Sequence, residues 1–204
     1  MTRRDSRSAI VAVTDLTDRT QTPVRAHART RVTPFTGASV RSVIGTNSPA
    51  ASLLAIDLGS TLGWAVRLAD GTITSGTAAF RPSRFEGGGM GWLRYRHWLD
   101  SMAASAGPIG SVVFEEVRRH AGNTAAHVYG GFLAHLTAWC ESAGVPYQGV
   151  PVGTIKRFAT GKGNAGKDAV IAAMRARGFA PADDNEADAL AMLLWAIDAR
   201  GGVQ

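Results

Sequence analysis

The 204-residue sequence predicts an α/β protein: a mixed five-stranded sheet, an antiparallel meander continued by parallel strands, flanked by helices. Three observations lead there. Leu53 to Ile56 is an unbroken apolar run ended by Asp57-Leu58-Gly59, as expected of a central strand buried on both faces. The dipeptide Asp70-Gly71 separates two strand-like stretches, Gly63 to Leu68 and Thr72 to Ala79, and marks a hairpin. Beyond residue 90, helical and strand patterns alternate, which implies helices packed on a sheet.

The later elements follow in order. After the glycine-rich stretch Glu86 to Gly91, Trp92 to Ala104 has helical spacing, with Trp92, Tyr95, Leu99 and Met102 on its buried side. Ser111 to Glu116 is a strand. Asn123 to Ser142 is a long helix stopped by Gly144 and Pro146, and Tyr147 to Val150 a short strand. Helices over Ala165 to Arg177 and Asp184 to Ala199 complete the order β-β-β-α-β-α-β-α-α, with Gly178 and Pro181 between them. Trp98, Tyr129, Phe132, Trp139 and Cys140 read as core or dimer packing.

Composition divides the chain in two. Residues 1–50 carry eight arginines, no lysine and three aspartates, so most of the net charge of +6 belongs there. Pro23 and Pro34 interrupt this segment, and no periodicity is sustained; it reads as a disordered basic leader ahead of one domain, 51–204. A mobile arginine-rich arm can attract nucleic acid without reading sequence. The composition also overlaps with organellar transit peptides, whereas Ala9 to Val13 is too brief for a secretory signal core. The single cysteine, Cys140, excludes a disulfide framework and a multi-cysteine zinc site. Apolar runs all break well short of the ~18 residues a membrane span requires. A cytoplasmic protein, nucleoid-associated when on DNA, with no membrane partner, is expected.

Carboxylates stand at the ends of elements. Asp57 closes the first strand, where it either caps a turn before Gly59 or faces a buried site. Glu115 and Glu116 close the fourth and, by strand alternation, point to opposite faces, so at most one joins Asp57. In the last helix, Asp184 and Asp188 lie roughly 40° apart on one face, and Asn185 about 60° from Asp188. Asp188 is the lone polar residue between Ala187 and Ile197. Burying it without a partner costs several kcal/mol or forces protonation, and a cation resolves this. Asp183, Asp184 and Glu186 are also explained by capping and the helix dipole; Asp188, a turn further in, is not.

An oxygen-only donor set selects hard cations, Mg²⁺ or Mn²⁺. Two such ions about 4 Å apart suit phosphodiester hydrolysis, one activating water and the other stabilising the leaving oxygen. All three lysines, Lys156, Lys162 and Lys167, fall with Arg157 in one basic stretch, Thr154 to Lys167. Its glycines, 161, 163 and 166, allow a close backbone approach to phosphate. It is not a Walker A loop, because Asp168 stands where the Mg²⁺-binding hydroxyl belongs.

Taken together, residues 51 to 198 resemble the RuvC-like Holliday junction resolvases, especially phage and prophage forms. The resemblance rests on four motifs in order: Leu54-Ala-Ile-Asp-Leu-Gly-Ser60, Val113-Phe-Glu-Glu-Val117, Gly161-Lys-Gly-Asn-Ala-Gly-Lys167 and Ala187 to Ala191. It implies an RNase H-like fold, a homodimer, a branched-DNA partner with no small-molecule substrate, and a crossover-junction endodeoxyribonuclease using two Mg²⁺ or Mn²⁺ ions. Metal-bound water would attack in line, leaving a 5′-phosphate and a 3′-hydroxyl. It favours Glu115 over Glu116 and assigns Asp57 to bridge the ions, flanked by Glu115 and Asp188. Lys167, with Lys156 as its upstream partner, would meet the scissile-strand phosphate. Apart from the resemblance, Arg157 and Lys162 in the basic stretch read either as DNA-backbone contacts or as a solvated surface, and Arg118 and Arg119 after the fourth strand either as DNA-backbone contacts or as an exposed basic patch. One position departs: three residues before the last Asp the family often has an acid or a His, and here it is Asn185. Asp184 is the expected substitute ligand, with Asn185 kept open.

The sequence also admits other readings. A catalytically silent junction-binding module finds support in Asn185. A less selective nuclease would act on flaps, forks or RNA-containing duplexes. A sugar- or acetate-kinase-like ATPase shares the Asp57-Leu-Gly-Ser-Thr61 pattern, but lacks a second such loop after residue 100 and has about half the usual length.

Overall fold

The structure is a computed structural model and describes residues 51–118 and 122–201; the expected leader and Arg119 lie outside the described residues. The elements are β1 (Ser52–Asp57), β2 (Thr61–Arg67), β3 (Ile73–Ala79), α1 (Met90–Ala106), β4 (Ile109–Glu116), α2 (Asn123–Ala143), β5 (Tyr147–Pro151), α3 (Val152–Thr160), α4 (Lys167–Ala176) and α5 (Asp184–Gly201). They form the expected mixed five-stranded sheet, in the order β3-β2-β1-β4-β5. The first three strands are an antiparallel meander, and β4 and β5 extend it in parallel.

Alternation along β1 divides the core. Leu53 and Ala55 pack beneath α3, α4 and α5, whereas Leu54 and Ile56 pack beneath α1 and α2. All four are essentially inaccessible. The larger of them contribute roughly 1.5–3 kcal/mol each by burial, which fixes β1 and with it Asp57 at its end. On β4, Val113 joins the α5 side and Phe114 the α1–α2 side. The same alternation turns Asp57 and Glu115 toward α5 and Glu116 away. On α5 itself, Ala187, Ala189 to Leu193 and Ala196 are buried, so the helix is enclosed on several sides, as its apolar sequence predicts.

One element was not expected. The basic stretch after residue 150 is not a continuous loop: Val152 to Thr160 is the helix α3, starting at Pro151 and ending at Gly161 in a left-handed conformation (φ 79°). Ile155 and Ala159, one turn apart, are its buried residues and dock on the α5 side. Gly153 and the threonines at 154 and 160 have weak helix propensity, so tertiary docking decides this helix. The next helix starts at Lys167 rather than Ala165, after an extended Gly166.

Candidate metal centre

The ends of β1 and β4 and the second turn of α5 bring three side chains together. Carboxylate oxygens of Asp57, Glu115 and Asp188 all lie within 4.8 Å of one another. Parallel pairing of β1 with β4 sets the strand residues side by side, Ile56 opposite Phe114. Among the described residues Asp57 accepts no turn hydrogen bond, so its capping role is set aside. It lines an open cleft of about 790 Å³ together with Ser60, Thr61, Arg81, Tyr129, Lys167, Asp184 and Asn185.

Three half-buried acids so close together repel one another and are poorly solvated. Burial, then the charges of Glu115, Asp188 and Asp184, hold the Asp57 carboxyl well above the usual range, with Lys167 opposing. Glu115 is pushed up to about 7 by burial and by Asp188, against the pull of Lys156. Asp188 is raised by burial and by Asp184, while Lys156 and Lys167 lower it. Lys156 and Lys167 thus offset only part of the repulsion and burial cost of the cluster.

The start of α5 separates two aspartates by role. Asp183 is the N-cap: its Oδ1 accepts the Glu186 N–H at 2.9 Å. Glu186 in turn accepts from the Ala182 N–H at 2.9 Å and from the Ser75 hydroxyl at 2.6 Å. Asp184 is thereby left to the cleft. It forms an ion pair with Lys167 and stands outside the three-carboxylate group. That pairing holds Asp184 below the usual carboxylate range and raises Lys167.

The basic residues are distributed over more than one surface. Lys156, on α3, is close enough to lower both Glu115 and Asp188. Arg157 and Lys162 are exposed, the latter in the α3–α4 connection. Arg118 is exposed and pairs with Glu116 at 3.3 Å. Between β3 and α1, the Ser83–Glu86 turn presents Phe85, 92% exposed, and Glu86 pairs with Arg94.

Two cleft residues escaped the sequence reading. Arg81 follows β3 and reaches the Ser60 hydroxyl at 3.2 Å. The hairpin register, which returns Ala79 opposite Thr61, is the signal that places it there. Tyr129, expected in packing, lines the cleft and donates its hydroxyl to the Glu115 carbonyl at 2.8 Å, bracing the strand end; no sequence signal distinguishes it.

The donor set fits a hard divalent cation: three carboxylates, no nitrogen or sulfur, and electrostatic repulsion that such an ion relieves. Among the described residues no helix is long and apolar enough to cross a membrane.

No protein-family model matches the chain, and no curated protein matches it. Solved structures do. Thermus thermophilus RuvC in complex with a Holliday junction substrate is 25% identical, with a TM-score of 0.62 over 74% of this chain and 96% of that one. A second Thermus thermophilus RuvC structure is 26% identical, with a TM-score of 0.60 and the same coverage. The yeast mitochondrial Holliday junction resolvase Ydc2 shares the fold at 11% identity, with a TM-score of 0.53 over 75% of this chain and 80% of its own. The chain is RuvC-like, with an RNase H-like fold.

Proposed function

We propose that this chain is a divalent-metal-dependent endonuclease that cuts branched DNA, four-way junctions foremost. The convergence of Asp57, Glu115 and Asp188 beside a lysine-bearing cleft carries the reading, and its RuvC-like setting supports it. Mg²⁺ or Mn²⁺ bound there would supply Lewis-acid activation of water and neutralise charge on the phosphate.

The chain's own residues do the rest. Asp57, Glu115 and Asp188 would together hold the divalent metal, with Asp57, whose charge is opposed by both of the others, as the shared ligand. Tyr129 keeps the Glu115 backbone in place. Lys167 and Lys156 orient the scissile-strand phosphate and meet charge as it develops on its oxygens. Arg157, Lys162 and Arg118, all exposed, offer further contacts to the DNA backbone, and Phe85 on its exposed turn probes the opened branch point. A four-way junction offers two equivalent strands, so a homodimer with two clefts is the expected acting species.

The test is the purified chain incubated with synthetic junction, fork, flap and linear duplex, each with Mg²⁺, Mn²⁺ or chelator. Junction nicking that requires the ion and spares linear duplex supports the proposal; nicking of every substrate alike, or none, overturns its specificity or its chemistry. A silent junction-binding module is the second reading. The neutral Asn185 and the engagement of Asp184 with Lys167 favour it, and tight ion-independent junction binding without any nicking would establish it.

A further inference from the structure

Besides the three clustered acids, the cleft holds a fourth carboxylate, Asp184, and its state is unlike theirs. It stands one turn before Asp188 on α5 and shares the cleft wall with Asp57, yet its charge is engaged by Lys167. The ammonium thus already neutralises the one cleft carboxylate outside the three-acid group, which a second ion would need as a ligand. Both groups are accessible enough to part: the Lys167 side chain is 71% exposed and that of Asp184 28%. Lys167 is also the first residue of α4, after the extended Gly166, so its long side chain can turn outward without disturbing a packed helix interior.

Charge balance points the same way. Asp57, Glu115, Asp184 and Asp188, fully ionised around a bound metal, carry four negative charges. Lys156 and Lys167 return two. One divalent ion brings these six side chains to neutrality, whereas a second would leave an excess of two positive charges among them, to which Arg81 in the cleft adds another. Each DNA phosphate that enters supplies one negative charge and competes with Asp184 for the lysine. Phosphate is an equally good partner for an ammonium, and it is delivered to the cleft by the substrate itself.

From these relations we infer that, without DNA, Lys167 holds Asp184 and restricts the centre to a single divalent ion. A DNA phosphate takes the lysine and releases Asp184 for a second ion. This deepens the proposed function and rests on it. Its consequence is regulatory: the centre is completed only when substrate is in place.

The experiment counts Mn²⁺ bound to the full chain by calorimetry and by electron paramagnetic resonance, in wild type, Lys167→Met and Lys167→Arg, without DNA. Wild type and Lys167→Arg should bind one ion tightly. Lys167→Met should bind a second at least tenfold more tightly than wild type does, and Asp184→Asn added to it should abolish that gain. Adding a cleavage-resistant phosphorothioate junction to wild type should bring in the second ion. Two equal ions on DNA-free wild type, or a Lys167→Met variant that binds like wild type, would overturn the latch. A wild type that binds no ion would instead remove the metal centre and the proposed function with it. Circular dichroism of each variant confirms that the comparison is between folded proteins.

Discussion

A Cβ atom on Gly63 would lie 1.9 Å from the carbonyl oxygen of Asn185. Gly63 is the β2 partner of Asp57, and Asn185 lies in the first turn of α5. The missing side chain therefore lets the helix settle directly onto the strand pair that carries the first carboxylate. The depth of that contact sets how closely Asp188 approaches Asp57.

Gly63→Ala should consequently loosen the centre without touching a ligand. Overpacking of this kind costs about 1–3 kcal/mol, and relief here requires the first turn of α5 to lift. The expected result is a lower melting temperature and at least tenfold weaker Mn²⁺ binding. Gly130→Ala is the control: it lies in the exposed interior of α2 with nothing within 4 Å of its would-be Cβ, and should stabilise the helix by up to about 1 kcal/mol. Unchanged ion affinity in Gly63→Ala would show that α5 is not held by this contact.

The repulsion within the cluster predicts a pH dependence of stability. Glu115 has its pKa raised from 4.5 to about 7, and Asp57 and Asp188 are raised as well. A carboxyl whose folded pKa exceeds its unfolded one binds more protons when folded throughout the window between them. Stability therefore falls as pH rises through that window. In chelator, these groups should lower the melting temperature between about pH 4.5 and pH 7. Mg²⁺ binds the deprotonated set, so its stabilising shift should be larger at pH 8 than at pH 5. Melting curves at the two pH values, with chelator and with saturating Mg²⁺, make the comparison; equal Mg²⁺ shifts would contradict the cluster.

How much of this could be read from the sequence depended on whether the signal was local. Asp57 was legible because an acid ends an unbroken apolar strand, and Asp188 because it interrupts an apolar helix. Glu115 was favoured over Glu116 by the motif it shares with the RuvC-like resolvases, while alternation alone separates the two only once the sheet supplies the face of Asp57. The α3 helix was hidden because its own residues favour it weakly and its stability comes from Ile155 and Ala159 docking on distant elements. The division between Asp183 as cap and Asp184 as cleft residue was hidden as well, since either aspartate satisfies a capping pattern. Tyr129 and Arg81 reach the cleft through the path of the chain, and no motif marks them.

Lys156 and Lys162 should separate into different roles. Lys156 lowers Glu115 and Asp188, so Lys156→Gln should raise both further. Their deprotonation then needs higher pH, and the acid limb of the pH–rate profile for junction nicking should move to the alkaline side. A profile that keeps its midpoint would place Lys156 outside the field of the cluster.

Lys162 is exposed in the α3–α4 connection, where it can meet a phosphate without facing the acids. Lys162→Gln should weaken junction binding by a similar factor at every sequence and reduce the slope of log affinity against log salt by about 1. Its maximal rate should stay near that of wild type. A full salt slope would show that Lys162 contacts no phosphate.

Asp57→Asn separates chemistry from binding. The amide keeps the size of the carboxylate, but it removes the charge at the centre of the cluster and is a poor ligand for a hard dication. Nicking should fall at least about a hundredfold, the scale on which losing one electrostatic stabiliser of a transition state is felt. Junction affinity in chelator should hold or rise, because one fewer negative charge faces the incoming phosphate. The chelator-treated variant should also be more stable than wild type at pH 8, since the charge most penalised by burial and by its neighbours is gone. These three readouts have different causes. Loss of nicking alone would fit a misfolded variant, but loss of nicking with retained affinity and raised stability would not. Undiminished nicking by Asp57→Asn would remove Asp57 from the centre.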